Sequence, residues 1–98
     1  MSAQGGVAGS RAMSVAAVID RIRRHRAVAI LRTSDETRVR PAIDAARRGG
    51  FCSIEITLNT PKALDAIARL AEDPEVLVGA GTVLEVDDAR RAVDHGAR

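Results

Sequence analysis

Cys52-Ser53-Ile54-Glu55-Ile56-Thr57-Leu58 sets apolar and polar residues in alternation. Successive side chains of an extended segment point to opposite faces, so Cys52, Ile54, Ile56 and Leu58 share one face while Ser53, Glu55 and Thr57 share the other. The stretch reads as a strand. It runs into Asn59-Thr60-Pro61, where Thr60 reads as an N-cap and Pro61 as the first residue of a helix. Leu64, Ile67, Ala68 and Ala71 form the stripe of that helix, and Pro74 closes the unit.

The same grammar repeats on both sides. Upstream, Ala27-Val28-Ala29-Ile30-Leu31 is an unbroken apolar run, the pattern of a strand buried on both faces of a parallel sheet. Val39, Ala42, Ile43 and Ala46 then take helical spacing; Pro41 fits if the helix begins near Thr37, and Gly49-Gly50 supply a left-handed stop. Downstream, Val76-Leu77-Val78 predicts a third strand entering Gly79-Ala80-Gly81-Thr82. Val86, Ala89 and Val93 mark a last helix, with Gly96 past its end. A helix from Ser14, its cap, to Arg24 leads the series on Val15, Val18, Ile19 and Ile22.

Strand and helix in alternation demand a parallel sheet with right-handed crossovers. A doubly wound sheet would carry a glycine-rich phosphate loop after its first strand, yet Leu31 is followed by Arg32-Thr33-Ser34. The alternative architecture is part of a (β/α)8 barrel, which needs roughly 200 residues or more and cannot close on three strands. On this reading the 98 residues are the amino-terminal part of a barrel, about three β/α units behind a leading helix, ending before a fourth strand. Residues 1–13 are expected as a flexible leader and residues 14–98 as the partial barrel domain.

Composition bounds the function. A hydrophobic share of 46% with a single aromatic, Phe51, calls for a core of Ala, Val, Ile and Leu. A net charge of +2 argues poorly for nucleic acid, and the cluster Arg21, Arg23, Arg24, Arg26 lacks the interleaved aromatics that stack bases. No run approaches the roughly 20 apolar residues of a membrane span. Cys52 is the sole cysteine, which excludes an internal disulfide and, with no secretory signal, points to the cytoplasm. Paired histidine or cysteine spacings for zinc are absent, so no metal is expected. His25 and His95 read as helix-end caps, and Cys52 as a small apolar residue rather than a nucleophile.

In a parallel α/β sheet the carboxyl ends of the strands lie together, and ligands bind there. Arg32, Glu55 with Thr57 and Asn59, and Thr82 all fall at or near such ends. Glu55, on the face opposite Ile54 and Ile56, is placed for proton transfer in a crevice; a structural ion pair with Arg32 is the competing reading. Arg32 offers a fork for a carboxylate or phosphate. Gly79-Ala80-Gly81-Thr82 reads as a loop whose backbone N–H groups and Thr82 hydroxyl can face an anion, or simply as a tight turn.

Ala29-Ile30-Leu31-Arg32, Ile54-Glu55-Ile56-Thr57-Leu58-Asn59-Thr60-Pro61 and Gly79-Ala80-Gly81-Thr82-Val83-Leu84, with Gly49-Gly50 and Asp94-His95-Gly96-Ala97, resemble consecutive signatures of the KDPG/KHG aldolase family. The resemblance spans Val28 to Arg98. It implies a (β/α)8 barrel, a homotrimer in the full-length protein, and a class I lyase without a cofactor. Such a lyase cleaves 2-keto-3-deoxy-6-phosphogluconate or 2-keto-4-hydroxyglutarate to pyruvate and an aldehyde. It also implies a Schiff base on a lysine of a later strand, Glu55 as proton shuttle, and Thr82 and Arg32 as ligands of the pyruvate carboxylate. Asn59 stands where many phosphogluconate-type members have arginine, which shifts substrate preference. Partners implied are a phosphorylated keto acid and pyruvate, with neither nucleic acid nor membrane.

The only lysine is Lys62, in the first turn after the second strand, so the chain lacks the Schiff-base residue and by itself is expected to be inactive. A noncatalytic anion-binding or assembly module, with Arg32 and the Gly79 to Thr82 segment holding the anion, is the alternative.

Overall fold

The computed structural model describes residues 13–98; of the expected leader, residues 1–12 lie outside them. The chain runs α1 (Val15–His25), β1 (Ala29–Leu31), a 3-10 turn (Glu36–Arg38), α2 (Val39–Arg48), β2 (Ser53–Thr57), α3 (Ala63–Ala71), β3 (Leu77–Gly81) and α4 (Val86–Asp94). The strands form one parallel sheet in the order β1-β2-β3. This is the predicted succession of three β/α units behind a leading helix.

Local signals explain most boundaries. The Ser14 hydroxyl accepts from the Ala17 N–H and starts α1. Asp35 caps the 3-10 turn through Thr37, and that turn brings Pro41 into the first turn of α2, where no N–H is required. Gly50, at φ 96, and Gly96, at φ 112, leave α2 and α4 in the left-handed region that glycine enters without steric cost.

Register sorts the sheet into two faces. Ile54 stands opposite Ala29 and Val78, and Ile56 opposite Leu31 and Ala80; this face carries the core. Ile54, Ile56 and Val78 pack with Ala63, Ala66, Ile67 and Leu70 of α3 and with Ala92 of α4. Small alanines let the helices lie close, and each fully buried isoleucine contributes roughly 1.5–3 kcal/mol. Phe51 stays partly exposed, so the core is aliphatic as composition required.

Three expectations are corrected. The first strand is Ala29–Leu31 rather than Ala27–Leu31, and it is an edge strand whose Ile30 is 64% exposed, not a strand buried on both faces. The helix after β2 begins at Ala63, because Thr60-Pro61-Lys62-Ala63 closes a β-turn instead, with Ala63 N–H bonding to Thr60 C=O and Lys62 at φ 57. The third strand runs on to Gly81, so Gly79-Ala80-Gly81 is paired backbone and not an anion-binding loop.

Candidate functional site

The second face of the sheet carries Ile30, Glu55 and Gly79 in one row and Thr57 and Gly81 in the next, toward the strands' carboxyl ends. Its amino-terminal end is closed by α1. His25 Nδ1 lies 2.5 Å from Ser53 Oγ, and Arg21 Nη2 donates to Pro74 C=O at 3.2 Å. His25 is therefore a tie to the sheet rather than a cap, whereas His95 does bond its own helix, at Arg91 C=O.

At the opposite end two of the predicted residues, Arg32 and Thr82, meet. Arg32, just past β1, reaches over β2 so that Nη2 donates to the Thr82 hydroxyl at 2.9 Å. The acceptor role leaves the Thr82 O–H proton available to a ligand, beside remaining guanidinium donors. Thr82 holds φ 54, a genuine outlier for a β-branched residue, and that turn off β3 is what sets its position.

Glu55 points to the same face and is half-buried, with no hydrogen bond or ion pair to any described residue. The ion pair with Arg32 is not formed; the Arg32 guanidinium is directed at the Thr82 hydroxyl instead. The Glu55 carboxyl rests over Gly81: a Cβ built there would fall 2.8 Å from Glu55 Cδ. Asn59 is exposed in the turn after β2, at the rim.

Sequence reasoning missed the tie beneath this rim. Thr33 N–H donates to Thr60 Oγ1 at 3.4 Å, the Thr60 and Thr57 hydroxyls lie 2.8 Å apart, and Thr57 donates to Leu31 C=O at 3.4 Å. Thr57 and Thr60 are 1% and 3% exposed. This chain of hydroxyls joins the ends of β1 and β2, and only the register, not any local spacing, reveals it.

Lys62 lies away from the face. Its ammonium pairs with Glu36 at 3.0 Å, and hydrogen bonding and charge attraction from that carboxylate raise its pKa above the ordinary 10.5. A groove of about 480 Å³ between α2 and α3, with Ile43 and Leu70 in its wall, lies on the helical side of the sheet and apart from Arg32, Glu55 and Thr82. Cys52 is half-buried with the Arg47 guanidinium 3.5 Å from Sγ, so its setting is more polar than predicted. Among the described residues no group of three His, Cys, Asp or Glu is placed to hold a metal ion, and no helix is long and apolar enough to cross a membrane.

Consecutive β/α units, with a parallel sheet wrapped on one side by its helices, define the chain as part of a (β/α)8 barrel. Residues 18–98 match the family model for KDPG and KHG aldolase, and the chain belongs to that family. It is 41% identical over 64 residues to the 2-dehydro-3-deoxy-phosphogluconate aldolase of Pseudomonas aeruginosa, covering 64% of this chain and 29% of that protein. The corresponding aldolase of Haemophilus influenzae is 31% identical over 81 residues, 82% of this chain and 38% of the relative. Among solved structures, the 2-keto-3-deoxy-6-phosphogluconate aldolase of Zymomonas mobilis ZM4 with 3-phosphoglycerate superposes with a TM-score of 0.71 at 32% identity, covering 86% of this chain and 40% of that one. The chain thus spans roughly a third of the length of the relatives it matches.

Proposed function

We propose that this chain carries the proton-transfer and carboxylate-binding part of a class I aldolase site, in a protein that cleaves a 2-keto-3-deoxy or 2-keto-4-hydroxy acid to pyruvate and an aldehyde. The observation that carries the reading is the Arg32–Thr82 hydrogen bond at the strand ends, on the face that also bears Glu55, which has no partner among the described residues. Arg32 and Thr82 hold the pyruvate carboxylate with a charged fork and a hydroxyl proton. Asn59, at the rim, contacts the part of the substrate that leaves as aldehyde. The family membership of the chain supports the reaction class, and its similarity to 2-dehydro-3-deoxy-phosphogluconate aldolases supports a phosphorylated gluconate-derived keto acid as substrate.

In the reaction a neutral lysine amine adds to the substrate ketone, and Glu55 donates the proton that lets the carbinolamine oxygen leave as water. The protonated imine accepts the electron pair when the carbon–carbon bond breaks, as the Glu55 carboxylate left by dehydration takes the proton of the hydroxyl that becomes the aldehyde; Glu55 then gives that proton to the enamine carbon, and water hydrolyses the resulting imine to release pyruvate. Lys62 does not serve. Its amine is held protonated by Glu36, which removes the lone pair a nucleophile needs. The Schiff-base lysine belongs to a strand outside these 98 residues, and the assembled protein is a cytoplasmic homotrimer.

Borohydride trapping with labelled pyruvate, on the protein isolated from its source and followed by intact mass and peptide mapping, tests the proposal. An adduct on a lysine other than Lys62 is expected. No adduct, or one on Lys62, overturns it; no adduct with pyruvate still bound leaves a noncatalytic anion-binding module.

A further inference from the structure

Gly81 is the last residue of β3 and still pairs with Thr57, a place where a glycine packs nothing and a side chain could stand. Its backbone does not require it: the positive-φ glycines described are Gly50 and Gly96, and Gly81 pairs with Thr57 in ordinary parallel register. The missing side chain is explained by a neighbour. A Cβ at Gly81 would occupy the place of Glu55 Oε2, and would sit 2.8 Å from Cδ and 3.3 Å from Cγ. Gly79, two residues earlier and directly opposite Glu55, is different: there a Cβ would meet only Arg98 C=O, at 3.6 Å. The Glu55 side chain therefore leans past its own row, along the strand direction, onto the bare backbone next to Thr82.

No donor or cation among the described residues fixes that carboxyl. We infer that Gly81 is a positioning residue: the absence of a side chain at this place in β3 is the seat that holds the Glu55 carboxyl beside the Arg32–Thr82 pair. Any side chain at position 81 expels the carboxyl toward the open end of the face, while Gly79 is free of this duty. The inference rests on the reading of Glu55 as the proton-transfer group.

The test compares Gly81→Ala, Gly79→Ala, Glu55→Gln and the double variant Gly81→Ala/Glu55→Gln in the protein isolated from its source, by kcat and KM for aldol cleavage. Gly81→Ala should lower kcat about 100-fold or more, as Glu55→Gln does, with KM little changed. Gly79→Ala should retain parental kcat, and the double variant should be no slower than Glu55→Gln alone, because both changes remove one function. A Gly81→Ala enzyme within about tenfold of the parent, or a double variant about tenfold below Glu55→Gln, overturns the inference. If Glu55→Gln itself turns over normally, it is the assignment of Glu55 that falls. Independently of turnover, NMR of the protein isolated from its source should give cross-relaxation between the Glu55 γ protons and the Gly81 α protons; their absence sinks the seat even where the aldolase reading stands.

Discussion

Arg32 and Thr82, fifty positions apart in sequence, share a hydrogen bond of 2.9 Å across the carboxyl end of the sheet. The bond spans from β1 to β3, so it exists only once the parallel order β1-β2-β3 is in place. Charge-assisted hydrogen bonds contribute about 1.5–3 kcal/mol each, so Arg32→Ala should weaken pyruvate binding about 10-fold to 100-fold. Thr82→Ala should weaken it less, and the pair should be non-additive because each residue orients the other. Arg32→Lys should not restore affinity, since an ammonium cannot reproduce the fork. Calorimetric titration of the source-derived protein with pyruvate checks this; unchanged affinity in Arg32→Ala removes the carboxylate site.

The backbone at Thr82 makes a separate prediction. A non-glycine residue in the left-handed region costs roughly 1–2 kcal/mol, and glycine there is free of that cost. Thr82→Gly should therefore fold at least as stably as the parent while losing pyruvate affinity. Denaturation midpoints set against titrations decide it. A clear loss of stability in Thr82→Gly would show that the strain is not there to be relieved.

Beneath the site, the hydroxyl chain runs from Thr33 through Thr60 and Thr57 to Leu31, with the Thr60 and Thr57 hydroxyls at its buried centre. Thr60→Val keeps the shape and removes the link, leaving the Thr33 N–H and the Thr57 hydroxyl each one partner short. An unsatisfied buried polar group costs about 1–3 kcal/mol, so the variant should unfold at measurably lower urea concentration. Thr60→Ser should recover most of the difference. Equal midpoints for Thr60→Val and the parent would place the hydroxyl in solvent contact instead.

The contrast between Thr60 and Ser14 shows what the sequence could say. Ser14 was legible because its partner, the Ala17 N–H, is three residues away and the cap is a local device. Thr60 resembles the same device, with Pro61 after it, but its hydroxyl is drawn to Thr57 and Thr33, a contact that depends on two strands lying side by side. Gly79-Ala80-Gly81 failed for a related reason: glycine signals a turn locally, while here one glycine is bare to make room for Glu55 from the neighbouring strand. Alternation in Ser53–Thr57 survived translation into structure because both its faces are real, one against α3 and one toward the site. The meeting of Arg32 with Thr82 followed from strand polarity alone, which puts all carboxyl ends on one side.

His25 gives the pH dependence. Its imidazole lies at the end of α1 with Nδ1 on Ser53 Oγ. Partial burial there, and then the charges of Arg21 and Arg24 on the preceding turn, hold its pKa below the ordinary 6.5. The folded chain therefore keeps this imidazole neutral over a range in which the unfolded chain protonates it. Where the unfolded state binds more protons, stability rises with pH. Stability should thus be fully present above 6.5, the unfolded value, decline as pH falls below it, and level off once pH passes beneath the folded value. His25→Gln keeps a hydrogen-bonding group near Ser53 and removes the titration. Urea midpoints measured downward from about pH 7.5 should fall more steeply for the parent than for His25→Gln once pH drops below 6.5. Carboxylates titrate alike in both chains and cancel from the comparison. Parallel declines would mean that His25 protonates equally in both states, and the contact with Ser53 would then carry no proton linkage.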